Sequence, residues 1–122
     1  MDREFLALIN EARTSRGFAP LRFDSRAQRW AETWTPQMVD LGQPHHQDIR
    51  PLVTGSIIRV GENVGVSTEG VEAVFRGFMA SPPHRANILD PSFTHVGIGT
   101  LKARYQRQEA TWTTHIFLRV RG

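Results

Sequence analysis

Two histidine-bearing stretches bracket one carboxylate in this chain. His45-His46 lies in a segment with little periodicity, Gly61-Glu62-Asn63 follows a short apolar run, and Ser81-Pro82-Pro83-His84-Arg85 interrupts a helical pattern. Two imidazoles and a carboxylate, here His46, His84 and Glu62, suffice to hold a divalent ion with water in the open positions. Nitrogen donors make zinc the natural candidate. The spacing alone does not put the three on one face, and the plainer alternative leaves His46 solvated in a loop and His84 capping a turn. His45 reads as the bystander of the pair. His95 opens a strand and His115 sits on a sheet face. Asn63 is placed to bond backbone groups and fix its loop. Arg85 is presented beside His84. Ser81 precedes Pro82 and reads first as a helix-terminal serine, because the G-x-S-x-G elbow of serine hydrolases is missing. Glu62 acting as a base beside a metal would make a hydrolase instead, although no H-E-x-x-H motif accompanies it.

The bulk composition removes several other classes. A length of 122 residues suits one domain, 1–122, with one core. The absence of cysteine excludes disulfides, thiolate metal sites and cysteine nucleophiles. No apolar run approaches the roughly 20 residues that span a bilayer. The charged start Met1-Asp2-Arg3-Glu4 leads directly into an amphipathic pattern, which reads as a chain without a signal peptide. The net charge of +3 comes from basic residues that are all arginine except Lys102 and are spread along the chain. Nucleic-acid binding asks for a basic stripe with interleaved aromatics, so no nucleic-acid partner is expected.

The elements that must position these residues follow from periodicity. Phe5, Leu8, Ile9 and Ala12 make one buried helical face over Asp2–Arg16, which Gly17 ends. Pro20-Leu21 then turns inward. Asp24 or Ser25 caps a second helix with the stripe Ala27, Trp30, Ala31, Trp34, Met38 and Leu41, closed by Gly42. Pro36 is expected to kink or split that helix. Ser56–Val60 is a candidate strand ending at Gly61-Glu62-Asn63, with a loop over Gly65–Thr68. Ser67 or Thr68 then caps a third helix carrying Val71, Val74, Phe75 and Phe78. Ser81-Pro82-Pro83 stops it and places His84 at a chain reversal, and Ala86–Leu89 has room for one helical turn. Val96–Leu101 and Thr111–Val120 are strands joined by a polar hairpin connection over Lys102–Ala110. Gly97 and Gly99 lie on one strand face where another element approaches closely. Thr113, His115 and Phe117 alternate with Trp112, Thr114, Ile116 and Leu118, so the last strand is covered on both faces. Early helices and late strands give an α+β fold with helices sandwiching an antiparallel sheet.

Taken together, Leu8-Ile9-Asn10-x-x-Arg13, Pro20-Leu21-x-Phe23-Asp24, His46, Gly61-Glu62-Asn63-Val64, Ser81-Pro82-Pro83-His84-Arg85-Ala86-Asn87-Ile88-Leu89 and Phe93-Thr94-x-Val96-Gly97-Ile98-Gly99 cover nearly the whole chain. They resemble the bacterial branch of the CAP superfamily, the cysteine-rich secretory proteins, antigen 5 and pathogenesis-related proteins, also called SCP domains. The resemblance implies a three-layer α-β-α sandwich with a central antiparallel sheet. It also implies a cleft lined by His46, Glu62 and His84, with Ser81 where eukaryotic members carry a second Glu. Such proteins are mostly extracellular or of the cell envelope. The roles known in the family leave two classes open. The lack of a clear nucleophile or second carboxylate favours a non-enzymatic binding module, expected to be monomeric, whose cleft holds a divalent metal and a small apolar ligand, a glycan or a protein partner. The alternative is a metal-dependent hydrolase using the same cleft.

Overall fold

A computed structural model describes all 122 residues. The chain order is helix α1 (Asp2–Thr14), strand β1 (Arg22–Phe23), helix α2 (Ser25–Leu41), a short 3-10 turn (Arg50–Leu52), strand β2 (Ile57–Ser67), helices α3 (Val71–Ala80) and α4 (Pro82–Leu89), and strands β3 (His95–Tyr105) and β4 (Gln108–Val120). The sheet order is β1-β3-β4-β2. β2, β4 and β3 pair antiparallel, whereas β1 joins β3 parallel through Arg22–His95 and Phe23–Val96. The sheet is therefore mixed, with the antiparallel part as expected and one two-residue parallel strand that a run this short does not announce.

Helices cover both faces, which makes the fold an α-β-α sandwich. On one side Phe5 and Ile9 of α1, Val74 and Phe78 of α3 and Ile88 of α4 pack with Val96, Ile98 and Phe117. On the other side Ala27 and Ala31 of α2 pack with Ile116 and Leu118, and Met38 joins Val64 and Trp112 in a neighbouring cluster. The alternation along β4 separates the two sets. Glycine sets how close α2 comes. A Cβ on Gly97 would lie 2.1 Å from the Ala27 carbonyl carbon, and one on Gly99 would lie 2.4 Å from that of Ala31.

Several boundaries differ from the sequence reading for identifiable reasons. α2 runs through Pro36 without a break. Its preceding residue, Thr35, is buried with Oγ1 2.8 Å from the Gly99 carbonyl and 2.8 Å from Thr114 Oγ1, so the sheet holds the helix at that point. Leu41, the last residue of the stripe, is exposed because α2 has passed its buried cluster. Asp24 is the cap of α2, accepting from the Arg26 and Ala27 amides. α3 starts at Gly70 without a side-chain cap, and Ser67 accepts from the Glu69 amide instead. β2 does not stop at Gly61-Glu62-Asn63 but continues to Ser67, paired with β4 without a break from Arg59 onward. Its residues facing α3 and α4 are small: a Cβ on Gly61 would meet Asn87 Oδ1 at 2.8 Å, and one on Gly65 would meet Phe78 at 2.9 Å. The hairpin connection shrinks to Gln106-Arg107, whose φ angles of 49° and 74° give the left-handed backbone of a two-residue turn without glycine. The polar residues around it extend both strands beyond the helices.

Candidate functional site

The site forms at the free edge of β2, where the segment after α2 reaches round from one face and α4 from the other. His45 anchors that segment. Its ring packs edge-on to Trp34 at 4.7 Å, and Trp34 Nε1 donates to the His45 carbonyl at 2.7 Å. His45 is thus a structural residue, and the next residue, His46, faces outward.

Glu62 fixes His46 from behind. His46 Nδ1 lies 2.8 Å from Glu62 Oε1, which also accepts from the Gln47 amide at 3.2 Å, while Gln47 Nε2 donates to Oε2 at 3.0 Å. The Glu62 side chain is 3% exposed and that of His46 is 63% exposed. A carboxylate only accepts, so the partner nitrogen Nδ1 carries the proton, and Nε2 is the nitrogen that Glu62 does not engage. Glu62 therefore stands behind an imidazole, the place of an outer-shell carboxylate in metal sites. Both of its oxygens are engaged by His46 and Gln47. No group of three or more His, Asp or Glu side chains is gathered for a metal ion.

His84 has a parallel arrangement with different chemistry. α4 begins at Pro82, so His84 lies in its first turn rather than at a chain reversal. Its Nδ1 is 2.9 Å from Ser81 Oγ, and its ring lies over Phe78 with centroids 4.9 Å apart. A hydroxyl donates or accepts, so Ser81 orients the ring without dictating which nitrogen is protonated. Burial, with a smaller contribution from the charge on His46, holds His84 below the ordinary histidine range.

Asn63 and Asn87 join the two halves. Asn63 is fully buried and donates to the His84 carbonyl at 3.0 Å. Asn87 Nδ2 lies 2.9 Å from Asn63 Oδ1 and 3.2 Å from the Glu62 carbonyl. Asn63 thus fixes α4, not merely its own loop. Gln47 and Asn87 escaped the site reading. The one signal available was position, Gln47 following His46 and Asn87 lying one helical turn beyond His84. Arg85 is exposed on α4 and its guanidinium makes none of these bonds.

Residues 6–117 match the CAP family, the cysteine-rich secretory protein family. The chain belongs to that family, and its relatives include bacterial proteins. It is 29% identical over 120 residues to YkwD of Bacillus subtilis, covering 92% of this chain and 45% of that protein. The chain thus spans about half the length of this curated relative. Among solved structures it is similar to an extracellular SCP-domain protein from Bacillus anthracis, with a TM-score of 0.77 and 21% identity over 97% of this chain and 40% of the other. An outer surface protein of Borrelia burgdorferi gives a TM-score of 0.78 at 14% identity, covering 98% of this chain and 92% of that one. A cysteine-rich secretory protein from Staphylococcus aureus gives 0.72 at 20%, covering 98% and 39%. At these identities the structures establish the fold. No helix is long and apolar enough to cross a membrane.

Proposed function

We propose that the chain is an extracellular or cell-surface binding module whose His46–His84 cleft takes up a divalent metal, zinc in the first place. The observation that carries this reading is the paired imidazole geometry: each ring has its Nδ1 engaged, by Glu62 in one case and Ser81 in the other. Histidines held through one nitrogen by a protein partner are the usual ligands of zinc through the other. The two Nε2 atoms are the donors, and water completes the shell. The bound ion would supply a Lewis-acidic point for an oxygen or nitrogen donor of a glycan, a small ligand or a partner protein. The extracellular location is supported by the surface and extracellular relatives.

The hydrolase alternative has less behind it. It needs a free base or nucleophile in the cleft. Both oxygens of Glu62 already accept from His46 and Gln47, and Ser81 is the partner of His84.

Thermal melts with and without zinc test the reading. A ligand bound only by the folded state stabilises it by about 2.7 kcal/mol at a hundredfold excess over Kd. The wild-type melting temperature should therefore rise by several degrees. His46→Ala and His84→Ala should each abolish the rise, and the double mutant should behave like either single because one two-ligand site fails when either ligand goes. His95→Ala, a change on β3 with β4 lying between it and β2, should keep the response. A wild type indifferent to zinc and other divalent ions overturns the metal reading. Chelator-sensitive turnover of a peptide or ester would favour the hydrolase.

A further inference from the structure

A cavity of about 330 Å³ opens on the outer side of α2, lined by Arg29, Trp30, Thr33 and Gln47. Its lining is a set of unused hydrogen-bonding groups around one aromatic ring. Of the three tryptophans, Trp34 and Trp112 have their indole N–H bonded to carbonyls. The Trp30 N–H has no protein acceptor and is open to solvent, while the ring body packs on the cluster of Ala27, Ala31, Leu52 and Ile57. Arg29 forms no ion pair, and the Thr33 hydroxyl bonds nothing in the chain. Gln47 is the exception that gives direction. Its amide nitrogen is held by Glu62 Oε2 at 3.0 Å, which leaves its Oε1 as the cavity's acceptor. The same Glu62 orients His46, so this cavity and the imidazole cleft share a wall.

We infer that this cavity is a binding subsite for an acidic sugar, a pyranose carrying a carboxylate. The chemistry selects that class. The ring body of a half-exposed tryptophan offers an apolar face for the C–H face of a pyranose. A guanidinium free of any counter-charge matches a carboxylate in bidentate fashion. An indole N–H and a hydroxyl beside one amide oxygen suit a ligand whose hydroxyls both accept and donate. A simple anion leaves the ring and the acceptor unused, and an apolar ligand strands every polar group. The inference rests on the binding-module reading in treating the cavity and the cleft as one surface, but it does not require a metal.

The test is a ¹H–¹⁵N NMR titration of the labelled chain in the presence of EDTA, with tetragalacturonate as probe. The Trp30 indole signal, assigned through Trp30→Phe, and the Gln47 side-chain amide signals should shift saturably. The indole signals of Trp34 and Trp112 should stay in place. Arg29→Gln, a change at an exposed residue, should weaken binding about tenfold, since hydrogen bonds to a charged group are the strong ones. The methyl-esterified, uncharged oligosaccharide should weaken it to a similar degree. An unmoved Trp30 signal at millimolar probe overturns the inference, as does an Arg29→Gln protein that binds equally well. Equal shifts from acetate, or from a short aspartate peptide, also overturn it by assigning the cavity to anions or acidic peptides in general. Zinc-insensitive melts together with tetragalacturonate binding would sink the metal reading and leave the subsite standing.

Discussion

His115 projects from β4 between Phe5 and Phe78, with ring centroids at 4.6 and 5.4 Å, and neither of its nitrogens has a hydrogen-bond partner. Burial, and to a smaller degree the charge on nearby His84, pushes its pKa down to about 3. The unfolded chain takes up that proton near the ordinary histidine value of about 6.5. Above that value both states are neutral and the residue has no pH effect. Below it the unfolded state binds a proton that the folded state refuses, and stability falls by about 1.4 kcal/mol per pH unit until the folded value is reached. His115→Phe keeps an aromatic ring among the phenylalanines and removes both orphaned nitrogens. Urea unfolding at pH 7 and pH 4.5 should show the variant at least as stable as wild type at the higher pH. Its advantage should grow by about 2–3 kcal/mol at the lower pH. An advantage that does not change with pH would mean that the ring finds a proton partner in the folded state. The same side chain shows where residue-level reading stops. The alternation of β4 put His115 on a sheet face, but only the three-dimensional packing reveals that the face is a closed aromatic cluster.

Among the elements, the α2–β3 contact was the most legible. Gly97 and Gly99 alternate on one strand face, and the structure puts the backbone of α2 against both. A side chain at 97 meets helix backbone rather than a flexible side-chain end, so relaxation means moving α2 off the sheet. Gly97→Val should cost about 3 kcal/mol or more, at the upper end of overpacking effects. Gly77 is the contrast: it lies in α3, exposed, and a Cβ added there would meet nothing within 4 Å. Gly77→Ala should gain about 0.5–1 kcal/mol from helix propensity. Chemical denaturation of the pair checks both, and a neutral Gly97→Val would mean that α2 shifts freely. β2 was harder to read, because Gly61, Asn63 and Gly65 look like the end of a strand. Gly61 and Gly65 leave room for α4 and α3, and Asn63 bonds α4, which are tertiary reasons that local pattern cannot carry. The same holds for α4, whose Pro-Pro start reads as a break and turns out to be the first turn of a helix, where proline's missing N–H costs nothing. The two His stretches and Glu62 stood out by residue type. The division of labour among them, one carboxylate behind one imidazole and one hydroxyl behind the other, depends on distances between segments.

At the scale of the molecule, the site's position depends on how the segment from α4 to β3 is tied down, and α1 supplies the tie. Arg13 is fully buried. Its Nε donates to the Ala19 carbonyl at 2.8 Å, Nη1 to those of Ile88 and Asp90 at 2.9 and 2.8 Å, and Nη2 to that of Phe93 at 3.2 Å. One guanidinium thus joins the end of α1, the end of α4 and the connection into β3. Burial pulls its pKa below the ordinary arginine value and the Asp90 carboxylate opposes that shift. An arginine stays charged even so. Lysine keeps the charge but offers a single nitrogen, which cannot reach carbonyls spread around a planar fork. Arg13→Lys should therefore leave at least two buried carbonyls without donors and, at about 1–3 kcal/mol each, lower stability by about 2–6 kcal/mol. The loss should have an address. Hydrogen exchange should speed up first in α4 and the residues leading into β3, which hold His84 and the carbonyls that Arg13 binds. The central pairing of β4 with β2 and β3 should remain protected. Arg16→Lys, a change at an exposed arginine one turn further on, serves as the control and should do neither. If Arg13→Lys lowered stability evenly, with no faster exchange in α4, the guanidinium would be filling space rather than fastening the His84 half of the cleft to the rest of the fold.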